Sequence, residues 1–383
     1  MAAFFIALPA LANFGYALRS FSVALRSGEG LDAHEGPNGA RPSLSIIVPA
    51  RNEERQIETC VRSLLAQGYD DFEVIVVDDR SEDSTRAILA RIAEEDSRLR
   101  IVDGSPLPDG WVGKPWALVQ GTAVARGEWL LFTDADTEHE PQASAAAYDH
   151  AHSRDYDALS LLTDQVLVTP GEWMCLPTIL WTIGFAVGPI DDINDPKKPD
   201  VALFNGQYIL ISRKAYDALG GHAAVKGKIA EDFEFARHFK HDGRFRGALV
   251  SANGLVRTRM YRSFGELWNG FVKNFALGAR GNTALALLGI SFLAFVSPLA
   301  PSALVWALAT RAYGAAMILA VSMAAAISGT EVGMRRMRFP RWSGLWMPFG
   351  TTILIAISLT SLVRLRFGGV TWRGRRYRSG ESR

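Results

Sequence analysis

Carboxylates recur where apolar runs stop. Asp78-Asp79 follow FEVIVV, Asp134-Ala135-Asp136 follow EWLLFT, and Ala50-Arg51-Asn52-Glu53 follow LSIIVP. An acidic pocket repels a diphosphate. A divalent cation resolves this, held by carboxylate oxygens on one side and phosphate oxygens on the other. Side chains alternate along a strand, so Asp134 and Asp136 can point the same way. A lone D-x-D is common by chance; behind two other polar run-ends it carries weight. Asp78-Asp79 also suit a solvated turn or a helix cap. No G-x-G-x-x-G follows the first run and no G-x-x-x-x-G-K-[ST] occurs, which disfavours a dinucleotide dehydrogenase and a P-loop NTPase. No Ser/His/Asp or Cys/His nucleophile stands out. His222, after Gly220-Gly221, reads equally as a packed loop histidine or an acceptor contact. Cys60 and Cys175 are too few for a disulfide framework or a zinc site and read as buried thiols, consistent with a reducing cytosol.

The elements that must position these residues alternate in type. Strands are expected at 44–48, 72–77, 99–102 and 128–133. Helices are expected at 53–66, at 81–93 with Ser81 or Asp83 as the cap, and at 115–125. Alternation of this kind implies an α/β fold with a mostly parallel sheet. Ligands in such sheets bind outside the carboxyl ends of the strands, where the acids lie.

The runs SIIVPARNEE, VIVVDDRSEDST, GKPWALVQG and LLFTDAD, in that order, resemble glycosyltransferase family 2, of the GT-A fold. The resemblance covers roughly residues 43–275 and continues through NGQYILISRKAYDALGGH and IAEDFEFARHFKHDG. GWVGKPWAL, NGQYILI, GGHAAV and VTWRGRRY are similar to a membrane-bound branch that includes carotenoid- and hopanoid-associated enzymes. The resemblance implies that Pro49, Ala50, Asn52 and Glu53 line the nucleotide. Asp79 would contact the base beside Asp78, and Lys114 would sit near the nucleotide or diphosphate. Asp134 would meet the ribose and metal, and Asp136 would be the principal metal ligand. Asp232 would be the general base, with Glu231 as its companion. It further implies a divalent cation, Mg2+ or Mn2+, and a nucleotide-sugar donor, UDP being the family's commonest. The acceptor would be lipid-like and the displacement inverting, which needs a base and a metal-bound leaving group but no enzyme nucleophile. Processive members carry Q-x-x-R-W after the E-D pair. Here RTRMYRSFGELW stands instead, which favours a single transfer over a polysaccharide synthase. Arg257, Arg259, Arg262 or Gln207 would touch diphosphate or acceptor and Trp268 would stack on sugar; a plain surface or lipid-facing role for the arginines is the alternative. The rivals are a polysaccharide synthase, a polyprenyl-phosphate sugar transferase, and a non-catalytic nucleotide-sugar-binding partner.

Residues 2–18 carry no charge and precede Arg19 and Arg26, which favours an uncleaved membrane anchor; an interfacial helix is the alternative. Three further apolar runs follow: 284–309, broken by Pro298 and Pro301; 312–330; and 343–363, with Pro348 inside. Residues 173–190 suit an interfacial helix pair or a buried core helix. Phe264, Leu267, Trp268, Phe271, Val272 and Phe275 repeat at helical spacing, as a membrane-surface helix or a core stripe would.

Charge divides the same way. From Gly333 onward there are eleven arginines against one acid, Glu381, while the 332 residues before it hold 30 bases and 39 acids. An acidic body disfavours nucleic acid as a partner, and 48% apolar content excludes disorder. The expected organisation is an anchor at 1–24 and a GT-A domain at 42–280, its nucleotide half ending near 140 and its acceptor half beginning near 141. Transmembrane helices at 283–365 and a basic tail at 366–383 complete it. A multi-pass protein of the cell membrane with its catalytic domain facing the cytoplasm is expected.

Overall fold

Residues 44–50 are buried along both faces, as a strand inside a covered parallel sheet must be. The computed structural model describes residues 2–32, 40–228, 230–278, 283–367, 370–372 and 375–377. The chain divides into two compact units.

The larger unit holds residues 28–166 and 190–260. Its strands, in chain order, are β1 (Leu44–Ala50), β2 (Phe72–Asp78), β3 (Leu99–Asp103), β4 (Trp129–Phe132), β5 (Thr137–His139), β6 (Ala158–Leu162), β7 (Asp164–Gln165), β8 (Ile209–Ser212), β9 (Gly247–Ser251) and β10 (Val256–Thr258). The main sheet runs β3-β2-β1-β4-β8-β6-β9. β8 is antiparallel to both its neighbours and the other pairings are parallel. β5, β10 and β7 form a small second sheet. Alternate residues feed two cores. Ile46, Val48, Val74 and Val76 pack on the side of helices Ile57–Leu65, Thr85–Glu95 and Ala143–Ser153. Ile47, Ile75, Val77 and Phe132 pack on the side of helices Gly113–Val124, Arg213–Ala218 and Glu231–Asp242.

Two helices start four residues later than periodicity predicts, at Ile57 and Thr85. The intervening polar residues bind each other across the loops after β1 and β2. Asn52 N donates to Ser81 Oγ at 2.9 Å, and Asn52 Oδ1 accepts from Glu82 N at 2.8 Å. Glu53 N donates to Thr85 Oγ1 at 2.8 Å, and Asp83 Oδ1 accepts Thr85 N at 3.0 Å, opening the helix. Backbone groups held this way need no helical partner.

The other unit comprises residues 1–27, 167–189 and 261–379. Among the described residues, four of its segments are long and apolar enough to cross a membrane: Phe4–Leu25, Ala284–Ala309, Tyr313–Arg336 and Ser343–Arg364. The second is two helices, Thr283–Val296 and Leu299–Ala309, joined at Ser297-Pro298. Proline lacks the N–H that would continue the ladder. Ser297 Oγ donates instead to Pro348 O at 2.6 Å. Helix Pro170–Val187 also belongs to this unit. Thr169 and Glu172 form a capping box at its start, with Pro170 as its first residue. Its Trp181 ring lies where a side chain at Gly333 would stand, 2.0 Å from an added Cβ, so glycine is needed there. Helix Phe264–Gly278 buries half of its apolar stripe and leaves Phe264 exposed. Leu267, Phe271 and Val272 are buried, and Ser361 Oγ donates to Val272 O at 2.7 Å. Residues 167–189 and 261–278 therefore group with the apolar helices, although they lie inside the span expected for the GT-A domain. Their buried faces are apolar and find apolar partners there. In the basic loop after Arg336, Glu331 accepts from Arg335 Nε at 2.7 Å, Trp342 N at 2.9 Å and Gly344 N at 2.8 Å. Arg280, Arg373, Arg378 and Arg383 lie outside the described residues.

Candidate active site

The strand order places the ends of β1, β2 and β4 side by side, because β1 pairs with both of the others. Each end then delivers its polar residues to one edge. Asp79 N donates to Ala50 O at 2.8 Å, so the turns after β1 and β2 are joined. Asp78 serves that turn: its Oδ1 accepts Ser81 N at 3.1 Å. Asn52 holds φ 55° and Arg80 φ 61°, a left-handed region that Asn tolerates better than most residues. Glu53, Asp78 and Asp79 are buried, and Pro49 is half-buried beside buried Ala50. Arg51, which the sequence reading passes over, donates from Nη1 to Asp79 O at 3.1 Å. Its position between two assigned residues was the available signal.

The chemistry gathers around Lys114, on the first turn of helix Gly113–Val124. Lys114 Nζ lies 2.7 Å from Asp134 Oδ1 and 2.8 Å from Glu231 Oε1. One ammonium thus joins a carboxylate from the end of β4 to one from the start of helix Glu231–Asp242. Burial works against the Lys114 charge, but Asp134, Glu231 and Asp232 outweigh it and hold its pKa well above the ordinary lysine value. Next to Glu231, Asp232 accepts from Gly206 N through Oδ2 at 3.1 Å and from its own Phe233 N through Oδ1 at 2.9 Å. Burial, then the Glu231 charge, raises the Asp232 carboxyl to about 6, against the opposing pull of Lys114 and the two N–H donors. A helix N-terminus favours acids in its first turn, which carries Glu231, Asp232 and Glu234.

Gly206, in the run Asn205-Gly206-Gln207, is a further residue that residue type alone did not single out. An added Cβ there would stand 2.9 Å from Lys114 Nζ and 3.1 Å from Asp232 Oδ2. Gly206→Ala is expected to displace both groups and lower kcat by about tenfold or more, since small misplacements of reacting groups are costly. Steady-state kinetics on the folded variant check this; an unchanged kcat would remove Gly206 from the site.

Asp136 stands at the same turn as Asp134, with its carbonyl accepting from Thr258 Oγ1 at 3.1 Å. Among the described residues no group of three or more His, Cys, Asp or Glu side chains is placed to hold a metal ion. Two carboxylates with a diphosphate and water completing the shell is the usual arrangement for a small hard cation at a nucleotide site. Three carboxylates around one ammonium leave this pocket net negative, so the residues present fit a divalent cation at Asp134 and Asp136.

The other expected residues stand on several elements. Arg257, on β10, donates to both oxygens of Glu138 at 3.0 Å and lies 3.4 Å from Glu140. Arg259 follows β10, half-buried. Gln207 turns inward, its Oε1 accepting from Thr163. Trp268 belongs to the other unit, beside Phe264. His222 is buried, its Nδ1 3.0 Å from Tyr216 Oη and its ring stacked on Phe235. Burial, with help from the Lys114 charge, brings its pKa down to about 3, so it stays neutral. It is a packed histidine.

A mostly parallel sheet flanked by helices, with acids at the strand ends and an E-D pair opening a helix, is the GT-A fold. A mannosyltransferase from Pyrobaculum calidifontis, solved in complex with GDP-Man and Mn2+, shares this fold with a TM-score of 0.59. Sequence identity is 23%, over 94% of this chain and 98% of that one. Residues 45–220 match the family model described as glycosyl transferase family 2, and the chain carries a domain of that family. Among curated proteins it is similar to the 4,4'-diaponeurosporenoate glycosyltransferase of Staphylococcus haemolyticus, at 29% identity over 245 residues, spanning 62% of each chain. It also resembles the enzyme of that name from Staphylococcus aureus, at 24% identity over 88% of each chain.

Proposed function

We propose that this protein transfers a single sugar from a nucleotide-diphosphate sugar to a hydroxyl of a lipid-like acceptor, with inversion, at the cytoplasmic face of the cell membrane. The observation that carries the reading is the raised Asp232 carboxyl beside Lys114. A carboxylate with pKa near neutrality is a better proton acceptor than an ordinary one, and it is still ionised at pH 7. A hydroxyl must lose its proton as it attacks. An acceptor that arrives as a carboxylate needs no base, which is why a hydroxyl is preferred here.

Each residue has a task in this scheme. The turns after β1 and β2 hold the base and ribose. Asp134 and Asp136 hold the cation. When bound, that cation supplies Lewis-acid neutralisation of the departing diphosphate. Lys114 lies between donor and acceptor sides and adds positive charge where the leaving group gains negative charge. Asp232, oriented by the Gly206 N–H, takes the acceptor proton. Four apolar segments long enough to span a bilayer, among the described residues, and the carotenoid-enzyme names of two relatives support an apolar acceptor drawn from the membrane; those names specify a carboxylate, so they support the apolar class and not the hydroxyl.

The test is incorporation of label. Purified full-length protein in lipid nanodiscs is given Mn2+, radiolabelled UDP-glucose or GDP-mannose, and extracted membrane lipids. Label entering the organic phase is expected. Label entering only a precipitable polymer would favour a polysaccharide synthase. Transfer to fatty-acid-like carboxylates but not to alcohols would overturn the hydroxyl assignment.

A further inference from the structure

We infer that His139, buried beneath the Asp134-Ala135-Asp136 turn, is a positioning residue that fixes the donor-side turn relative to the loop orienting Asp232. The inference rests on the function proposed above.

Proton counting carries it. Thr137 Oγ1 donates to Asp134 O at 2.8 Å, and Thr133 Oγ1 donates to Gln207 O at 2.7 Å. Carbonyl oxygens only accept, so assigning each hydroxyl proton to its carbonyl leaves neither for the contact between the hydroxyls. The two hydroxyl oxygens nevertheless lie 2.9 Å apart. Something must place a proton between them. His139 Nε2 lies 2.9 Å from Thr137 Oγ1 and 3.2 Å from Thr133 Oγ1, so it is the donor, shared by both oxygens. Its Nδ1 is buried with no hydrogen-bond partner among the described residues. A proton there would be an orphaned buried N–H donor, which folded proteins hold more rarely than an under-satisfied acceptor. The ring is therefore the neutral Nε2–H tautomer. Burial agrees, bringing its pKa down to about 3.

The consequence is a connected path. The His139 N–H sets the direction of both hydroxyls. Thr137 grips the carbonyl of Asp134, whose carboxylate meets Lys114. Thr133 grips the carbonyl of Gln207, and the preceding residue's N–H binds Asp232. The histidine is itself anchored, its N donating to Ser63 Oγ at 3.1 Å and its ring packed 5.7 Å from that of Tyr208. The carbonyls alone cannot hold this pair, since the two hydroxyl oxygens, each with its proton on a carbonyl, repel without a donor facing them.

The test uses three variants of the full-length protein. Gln reaches the place of Nε2 with an N–H, Asn reaches only the place of Nδ1, and Phe keeps the ring without any donor. His139→Gln is expected to stay within a few-fold of wild type. His139→Asn and His139→Phe are expected to lose about 10–100-fold, both in kcat and in Mn2+-dependent affinity for UDP or GDP measured by calorimetry. Thermal unfolding of all three should be similar. Equal behaviour of Gln and Asn, a fully active Phe variant, or losses that follow the unfolded fraction would each overturn the inference. Wild-type protein that binds nucleotide but transfers no sugar would sink the proposed function alone; the binding order of the variants still decides the role of His139. Wild-type protein that binds neither nucleotide would sink both.

Discussion

Asp232→Asn is expected to lower turnover by about 10²–10⁴-fold, the usual contribution of a positioned base. The substitution is nearly isosteric. A carboxamide oxygen can still accept from Gly206 N, which lies 3.1 Å from the carboxylate now. What it cannot do is take a proton. Binding of Mn2+ and UDP or GDP should therefore survive while transfer is lost. The pH profile of the wild-type enzyme provides a second reading. Burial and Glu231 raise the Asp232 carboxyl to about 6, so activity should fall below that pH as the base becomes protonated. The stability contribution has the opposite sense. A folded state that raises a carboxyl pKa favours its protonated form, so this group's contribution is present at low pH and is lost as pH rises through about 6. Wild-type kcat in Asp232→Asn, or an acid limb that persists unchanged in the variant, would exclude Asp232 as the base.

Asp136→Asn should abolish the metal dependence of nucleotide binding and reduce transfer by about a hundredfold or more, since a Lewis acid at a leaving diphosphate contributes several kcal/mol. The turn itself should persist. The Asp136 carbonyl, not its carboxylate, accepts from Thr258 Oγ1, so the backbone anchor remains. Asp134 is a poorer probe, because its loss also releases Lys114 from its 2.7 Å contact. Calorimetry with UDP or GDP in the presence and absence of Mn2+ separates the two principal variants. Asp232→Asn keeps the metal-dependent increment and Asp136→Asn loses it. Retention of that increment in Asp136→Asn would move the cation elsewhere.

Much of the donor side was legible from residue order. β-branched runs buried on both faces read as parallel strands, and parallel strands aim their following residues at one edge. Residue order alone therefore points Asp78, Asp79, Asp134 and Asp136 to a common place. Helix starts were less legible. Asn52, Glu53 and Asp83 fit an opening helical turn by type, but each binds a neighbouring loop, and a contact thirty residues away leaves no local periodicity. Helix Phe264–Gly278 shows a similar ambiguity. Its stripe fits lipid and protein equally, and what the structure adds is a protein partner for one side of it, through Ser361 Oγ on Val272 O.

The sequence by itself determined the classes of residue, the alternation of elements, the acidic body and the arginine-rich end, because these follow from local propensity and composition. Only the tertiary structure decided that Lys114 joins Asp134 to Glu231, that Gly206 must lack a side chain, and that a buried histidine stands within hydrogen-bonding distance of two threonine hydroxyls. These are distances between segments far apart in the chain. They are set by how the sheet orders its strands and by which hydrogen-bond donors are left to fill the space beneath a turn.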